Sequence, residues 1–233
     1  MKNSDYDKKI FYSKTEIAST YDEFRYGGKS GDYINQRELN TVALMLPESG
    51  KILDIPCGTG RLLKYIGNQY EKFGVDYSEK MLEQVNDEKI KLIRQDAFNL
   101  DLPCSSFDVV ISLRFIFHYS DISFFFKTIN KILKPGGVFI CQNYKWSPLS
   151  FDIPVPFKVG GKIHIHSDKK IIYLFESNGF KILDKKTIFL FSPFIYRHLP
   201  LAIVKFLDYI ERLVPDKIKL DNYWKVIKLT EIQ

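Results

Sequence analysis

The stretch Lys51-Ile52-Leu53-Asp54-Ile55-Pro56-Cys57-Gly58-Thr59-Gly60-Arg61 decides the fold. An apolar run enters a cluster of small residues and leaves it in a helix-forming segment, which reads as a buried strand turning sharply into a helix. Small residues at such a turn let the backbone approach a ligand closely, and the following helix offers N–H groups without intrahelical partners. Such a turn suits a phosphate, but spacing argues against two common versions. A dinucleotide fingerprint needs a third glycine, whereas Gly60 is followed by Arg61, Leu62 and Leu63. Nor does a Gly-Lys-Ser/Thr triplet close this turn, as a nucleoside triphosphate loop would require.

On either side, short apolar runs alternate with amphipathic ones, the pattern of parallel strands joined by crossover helices. Lys51 to Cys57 reads as the first strand, Arg61 to Tyr70 as a helix, Lys72 to Tyr77 as the second strand, and Ser78 to Asn86 as a helix capped by Ser78. Ile90 to Ala97 and Phe107 to Leu113 read as the third and fourth strands. A helix follows over Asp121 to Leu133, then a fifth strand over Gly137 to Asn143, begun by the turn Leu133-Lys134-Pro135-Gly136-Gly137. Further on, Ser167 to Asn178 predicts a helix ending at Gly179, Phe180 to Phe191 a strand, Ile195 to Val214 a helix despite Pro200, and Tyr223 to Leu229 a final edge strand. Before Lys51, helical patterns around Ser13 to Tyr26 and Tyr33 to Leu46 predict a cap over the strand ends. The expected organisation is a helical cap over residues 1–50 and a core over 51–233, with a Pro-rich substrate lid around 145–167.

At 233 residues, 45% hydrophobic and 27% charged, the chain has the composition of one folded domain. The net charge of +6 lies in the last third, where 15 basic residues face 9 acidic ones from Lys145 onward. A solvated lysine-rich surface accounts for this excess, as does attraction to an anionic substrate, nucleic acid or membrane surface. Cys57, Cys104 and Cys141 form neither a CxxC nor an even set, so no disulfide framework or zinc site is expected and a reducing cytoplasm fits. The opening MKNSDYDKKI is too polar for a signal peptide. Ile188 to Val214 is interrupted by Arg197, Lys205, Asp208, Glu211 and Arg212, so it is a poor membrane span. Its amphipathic part from Ile195 suits a membrane surface or a lipid-like substrate, with packing against the sheet as the alternative.

Two acids complete the pattern. Asp76, in Gly74-Val75-Asp76-Tyr77-Ser78, ends the second strand, where a carboxylate accepts both hydroxyl hydrogens of a ribose. Asp96, in Arg94-Gln95-Asp96-Ala97-Phe98, ends the third strand and is placed to accept from an exocyclic adenine amine. Together with the glycine turn they describe an adenosine pocket.

These residues resemble the class I S-adenosylmethionine (SAM)-dependent methyltransferases, especially small cytosolic enzymes whose turn reads LDxPCGTGR; the likeness runs from about Ser13 to Phe180. The resemblance implies a Rossmann-like, doubly wound seven-stranded sheet with the last strand antiparallel. It also implies SAM as cofactor and S-adenosylhomocysteine as product. Gly58 and Gly60, with Asp54 and Pro56, would face the amino-acid half of the cofactor, Asp76 the ribose and Asp96 the adenine. Tyr77, Met81, Ala97, Phe98 and Ser112 would complete the cofactor site. Tyr21 and Arg25, in TYDEFR, resemble a helix that closes over the methionine carboxylate. Pro56 stands where the general family pattern has glycine, which removes one N–H and stiffens the turn; the LDxPCGTGR subgroup shares it.

Phe107 to Tyr119 resembles the family's fourth strand and substrate-facing turn, which makes Arg114, Phe117 and His118 candidates for the acceptor side. His118 suits a general base; a hydrogen-bonded structural histidine is the competing reading. His164 and His166 lack a neighbouring carboxylate or thiol and are expected on a surface strand, so no metal site is expected. The expected activity is methyl transfer to an oxygen or nitrogen of a small-molecule acceptor, by a monomer or homodimer. RNA or protein methylation and non-catalytic SAM binding are the alternatives. Ser112-Leu113-Arg114-Phe115 stands where adenine or glutamine N-methylation would call for an NPPY-like tetrad.

Overall fold

The computed structural model describes residues 3–149 and 163–230. Among them, Gly50–Asp54 (β1), Tyr70–Asp76 (β2), Ile90–Arg94 (β3), Phe107–Ser112 (β4), Leu133–Tyr144 (β5), Phe180–Ile188 (β6) and Asp221–Lys228 (β7) form one sheet, ordered β3-β2-β1-β4-β5-β7-β6. The first five strands are parallel, and β7 runs antiparallel to both β5 and β6. The expected seven-stranded, doubly wound sheet with an antiparallel last strand is the observed one.

Adjacent residues on the central strands feed opposite faces, which explains why those strands read as unbroken apolar runs. Leu53, Val110 and Phe139 point to one core, shared with Phe125, Phe126 and Phe175 of the helices Ser123–Ile132 (α6) and Asp168–Ser177 (α7). Ile52, Val109, Ile111 and Ile140 point to the other, shared with Leu62 and Leu63 of Arg61–Tyr65 (α4) and with Leu39 and Val42 of Gly28–Ala43 (α3).

Several elements differ from expectation. Only Arg61–Tyr65 is helical in the stretch expected to run to Tyr70, because Ile66 is already extended and Tyr70 pairs with Gly50 as the first residue of β2. The helix after Ser78 is a single turn, Glu79–Leu82 (α5), although Ser78 does cap it by accepting from the Met81 N–H at 3.2 Å. Pro200, which has no N–H to donate, splits the expected long helix into Pro193–His198 (α8) and Leu201–Leu213 (α9). β7 is not an edge strand: it lies between β5 and β6, with Tyr223 in one core and Trp224 and Val226 in the other. At the N-terminus, Thr15–Tyr26 (α2) and α3 match the two expected helices, and a further helix, Asn3–Tyr12 (α1), precedes them.

The strand order reverses between β1 and β4, whose successors leave in opposite directions. In open α/β sheets the crevice at such a switch, outside the carboxyl ends of the strands, is where ligands bind. The helices α1 and α2 lie over that point. Of the lid expected around 145–167, residues 150–162 lie outside the described residues.

Candidate functional site

A cleft of about 1070 Å³, counted with its open mouth, occupies this switch point. Its floor is the turn after β1. Gly58 (φ +54°) and Gly60 (φ +72°) adopt left-handed backbone that suits glycine. A Cβ at Gly58 would meet nothing within 4 Å, so the backbone there borders open space, whereas one at Gly60 would strike Val85 at 2.9 Å. Gly58 therefore faces the cleft and Gly60 serves the packing of the turn.

Two carboxylates converge on this floor from the ends of β1 and β2. The Asp76 oxygens accept from the backbone N–H groups of Gly58 and Ser78, each at 2.8 Å, which fixes the side chain and leaves further lone pairs directed to other donors. Asp54 is buried, and its Oδ1 has no hydrogen-bond partner among the described residues. Burial pushes the Asp54 carboxyl up to about 8, although Arg61 pulls it down, and burial holds Asp76 at about 6 against its backbone hydrogen bonds. Buried acids of this kind mark a site that gains from a donor or a positive charge.

Asp96 lies two residues beyond β3 and stands on the cleft wall. Its Oδ1 accepts from the Phe98 N–H at 3.0 Å, and its Oδ2 pairs with Lys9. Lys9 belongs to α1 and lies 5.0 Å from the centre of the Tyr77 ring. The Tyr12 carbonyl accepts from the Ser78 hydroxyl at 2.8 Å, which ties the end of α1 to the strand-end turns.

Opposite the acids stands a wall of arginines and tyrosines. The Glu38 carboxylate, fully buried on α3, pairs with both Arg61 and Arg114 and accepts from the Tyr223 hydroxyl at 3.0 Å. Burial alone would raise this carboxyl, but Arg114 and Arg61 outweigh burial and hold it at about 2. Both guanidinium groups lie over the Tyr26 ring, at 4.4 and 5.5 Å from its centre. Burial pushes the Tyr12 and Tyr26 hydroxyls up to about 12, so both stay protonated at neutral pH.

Of the residues expected at the site, Tyr21, Asp54, Pro56, Gly58, Asp76 and Tyr77 line the cleft, as do Met81, Asp96, Ala97, Arg114 and His118. Five do not line it. Gly60 is turned toward Val85. Phe98 packs on Tyr119, Phe115 and Phe125, because the tight Asp96 to Asn99 turn aims its ring into the core. Ser112 is wholly buried inside β4. Phe117 joins Tyr144 and Leu220 in a separate cluster. Arg25 sits behind Tyr12 and Tyr21, with its Nε buried and without a hydrogen-bond partner among the described residues.

His118 is buried at the cleft wall, its ring 5.9 Å from that of Tyr12. Burial first, then the charges of Lys8 and Arg25, push its pKa well below the ordinary histidine value, so it is neutral. His166 is not on a surface strand. It is buried, and its Nε2 lies within 3.2 Å of the Ile116 and Tyr119 carbonyls, pinning the turn that carries His118. Among the described residues, no group of three His, Cys, Asp or Glu side chains is placed to hold a metal ion.

Lys9, Tyr12, Tyr26 and the Glu38 network were not anticipated from the sequence. Nothing in the polar opening residues distinguishes a helix that folds over a cleft. Glu38 is one acid among several on an amphipathic helix, and only the fold shows that it faces two arginines.

Residues 53–141 match the family model described as a methyltransferase domain. Demethylmenaquinone methyltransferase of Staphylococcus aureus is 37% identical over 100 residues, 39% of this chain and 42% of that protein. The match thus spans about two fifths of the length of these curated relatives. A SAM-dependent methyltransferase from Thermotoga maritima shares the fold with a TM-score of 0.66 at 21% identity, covering 91% of this chain and 97% of that one. Geranyl diphosphate C-methyltransferase from Streptomyces coelicolor, solved with S-adenosylhomocysteine, also gives a TM-score of 0.66 at 14% identity, covering 85% and 80%.

The Glu38 network generates a prediction. Removing the shared carboxylate leaves two buried guanidinium groups facing each other, so Glu38→Ala should destabilise the protein by about 3–5 kcal/mol in urea denaturation. A loss below about 1 kcal/mol would contradict the assigned pairing.

Proposed function

We propose that the chain is a SAM-dependent methyltransferase that transfers a methyl group to an oxygen or nitrogen of a small-molecule acceptor. The observation that carries this reading is the convergence of Asp54, Asp76 and Asp96 on one cleft at the strand-order switch, above a glycine turn that leaves open space at Gly58. The match of residues 53–141 to a methyltransferase domain supports it.

The residues present suit the cofactor. The buried Asp54 oxygen, without a partner among the described residues, fits an ammonium or hydroxyl donor. Asp76, fixed by two backbone N–H groups, has lone pairs left for the ribose hydroxyls. Asp96 accepts from the adenine amine once Lys9 yields its place on Oδ2. Pro56, Tyr77, Met81 and Ala97 border the same nucleoside, and Tyr21 closes over its amino-acid end, with Arg25 behind it as a source of positive charge. The turn from Leu53 to Arg61 supports a likeness to the LDxPCGTGR enzymes.

When bound, the cofactor supplies a methyl group already activated by its positive sulfur. The protein's share of catalysis is then largely positioning, an effect worth on the order of 7–11 kcal/mol in favourable cases. Arg114, locked by Glu38, and the protonated Tyr12 and Tyr26 orient the acceptor by donating hydrogen bonds. His118, kept neutral, offers a ring nitrogen as hydrogen-bond acceptor to the attacking group, and the buried wall excludes water. A reducing cytoplasm accords with the three unpaired cysteines.

Isothermal titration tests the base of this reading. Wild-type protein should bind SAM, and Asp76→Ala should weaken binding at least about tenfold, the loss expected for a hydrogen bond to a charged group. Unchanged affinity in the variant would sink the assignment.

The raised acids give a pH signature of two opposite signs. Binding needs ionised carboxylates, so affinity for SAM should rise with pH as Asp76 and then Asp54 lose their protons, near pH 6 and pH 8. Stability of the ligand-free protein moves the other way. A folded pKa above the unfolded value means that the folded state holds more protons in between, so the contribution of Asp54 declines from about pH 4 to pH 8. Denaturation of wild type and Asp54→Asn across this range should show the variant gaining relative stability as pH rises. A difference that does not change with pH would contradict the burial of that charge.

A further inference from the structure

The helix α9 is amphipathic in an inverted sense. Its inward face carries Val204, Asp208 and Glu211, all buried. The two acids are satisfied by α3: Arg37 pairs with Asp208 and with Glu211, each at 2.8 Å, and the Tyr33 hydroxyl donates to Asp208 at 2.7 Å. With its charges consumed inside, the helix turns its large apolar side chains out. Ile203, Phe206, Tyr209 and Leu213 are 45%, 61%, 61% and 67% exposed. At 3.6 residues per turn they fall within an arc of about 120° along a rod about 20 Å long. Lys205 and Arg212, both exposed, border one side of that arc, Arg212 also donating to Asp208 at 3.2 Å.

The surface beyond the helix continues in the same character. The turn Asp216–Ile218 adds Lys217 and is followed by Lys219. Beside it stands Trp146, 71% exposed, held there because the neighbouring Lys145 and Ser147 bond to the carbonyls of Asp216 and Ile218. Of the acids in α9 and this turn, Asp208 and Glu211 are buried, and Asp216 is paired with Lys219 at 2.8 Å.

We infer that α9 is a docking helix that seats this protein on the surface of an anionic lipid bilayer. An apolar arc rich in aromatic rings and bordered by Lys and Arg is what an interfacial helix presents to headgroups and the acyl boundary. Charge complementarity selects anionic lipid, in keeping with the excess of 15 basic over 9 acidic residues from Lys145 onward. Area disfavours a second copy of the chain as occupant. The four outward side chains together expose roughly 450 Å², little more than half of the roughly 800 Å² per partner of a stable protein interface. A bilayer needs no matching concave surface. Because α8 packs against α2 and α3, and α9 against α3, docking brings the helices that roof the cleft toward the membrane. This inference does not depend on the methyl-transfer reading.

Flotation with phosphatidylcholine vesicles, with and without phosphatidylglycerol, tests it. Wild-type protein should float with the phosphatidylglycerol vesicles and stay in solution with phosphatidylcholine alone, and Trp146 emission should shift to the blue on binding. The pair Phe206→Asp and Leu213→Asp should weaken binding at least about tenfold while keeping the wild-type melting temperature, since both side chains are exposed. Lys205→Glu should weaken it less and make what binding remains less sensitive to salt. Three results would each overturn the inference: no flotation of the wild type, flotation unchanged in the double variant, or a wild-type dimer in sedimentation equilibrium that the double variant dissociates.

Discussion

The carboxylate of Glu38 is the point at which the N-terminal helices are fastened to the sheet. It reaches from α3 to Arg61 at the start of α4, to Arg114 in the turn after β4 and to the Tyr223 hydroxyl on β7. Those three partners come from both sides of the strand-order switch and from the antiparallel strand inserted beyond it. A charge buried this completely is stable only when fully paired. The pairing therefore dictates where α3 sits, and α2, which packs on α3, is carried over the strand ends as a roof. Arg114 is held at the cleft wall by the same contact, in a left-handed backbone conformation with φ +53°. One interaction thus defines both the shape of the cleft and the position of its principal cation.

The cleft is electrostatically divided. On one side, carboxylates end or follow successive parallel strands, and two of them are raised by burial, Asp54 despite the pull of Arg61. On the other, arginines lie over a tyrosine ring and share one buried acid. Under the proposed function, a cationic nucleoside would take the acidic side and its methyl acceptor the side of Arg114, Tyr12, Tyr26 and His118. Lys9 stands on the acidic wall as a substitute cation, paired with the acid proposed for adenine.

Much of this was legible in the sequence because it is written in local patterns. Strand runs such as Val109-Val110-Ile111 reveal a sheet covered on both faces, since adjacent residues must both be buried. The spacing from Asp54 to Asp76 and Asp96 reveals where successive strands end. Long-range placement was not legible. The alternation of Tyr223 to Leu229 reads equally well at an edge or inside the sheet, and only pairing on both sides places β7 between β5 and β6. Phe98 looked like part of the nucleoside pocket because it adjoins Asp96, but a tight turn sends it the other way. The role of Glu38 depends on three partners, of which the nearest in sequence, Arg61, is 23 positions away. No local signal records that.

The most direct test of the central claim is a crystal structure of the protein grown with S-adenosylhomocysteine. The ligand should lie at the switch between β1 and β4, with its ribose hydroxyls on Asp76, its adenine amine on Asp96 and Lys9 displaced. A ligand bound elsewhere, or one in the cleft whose ribose does not engage Asp76, would contradict that claim.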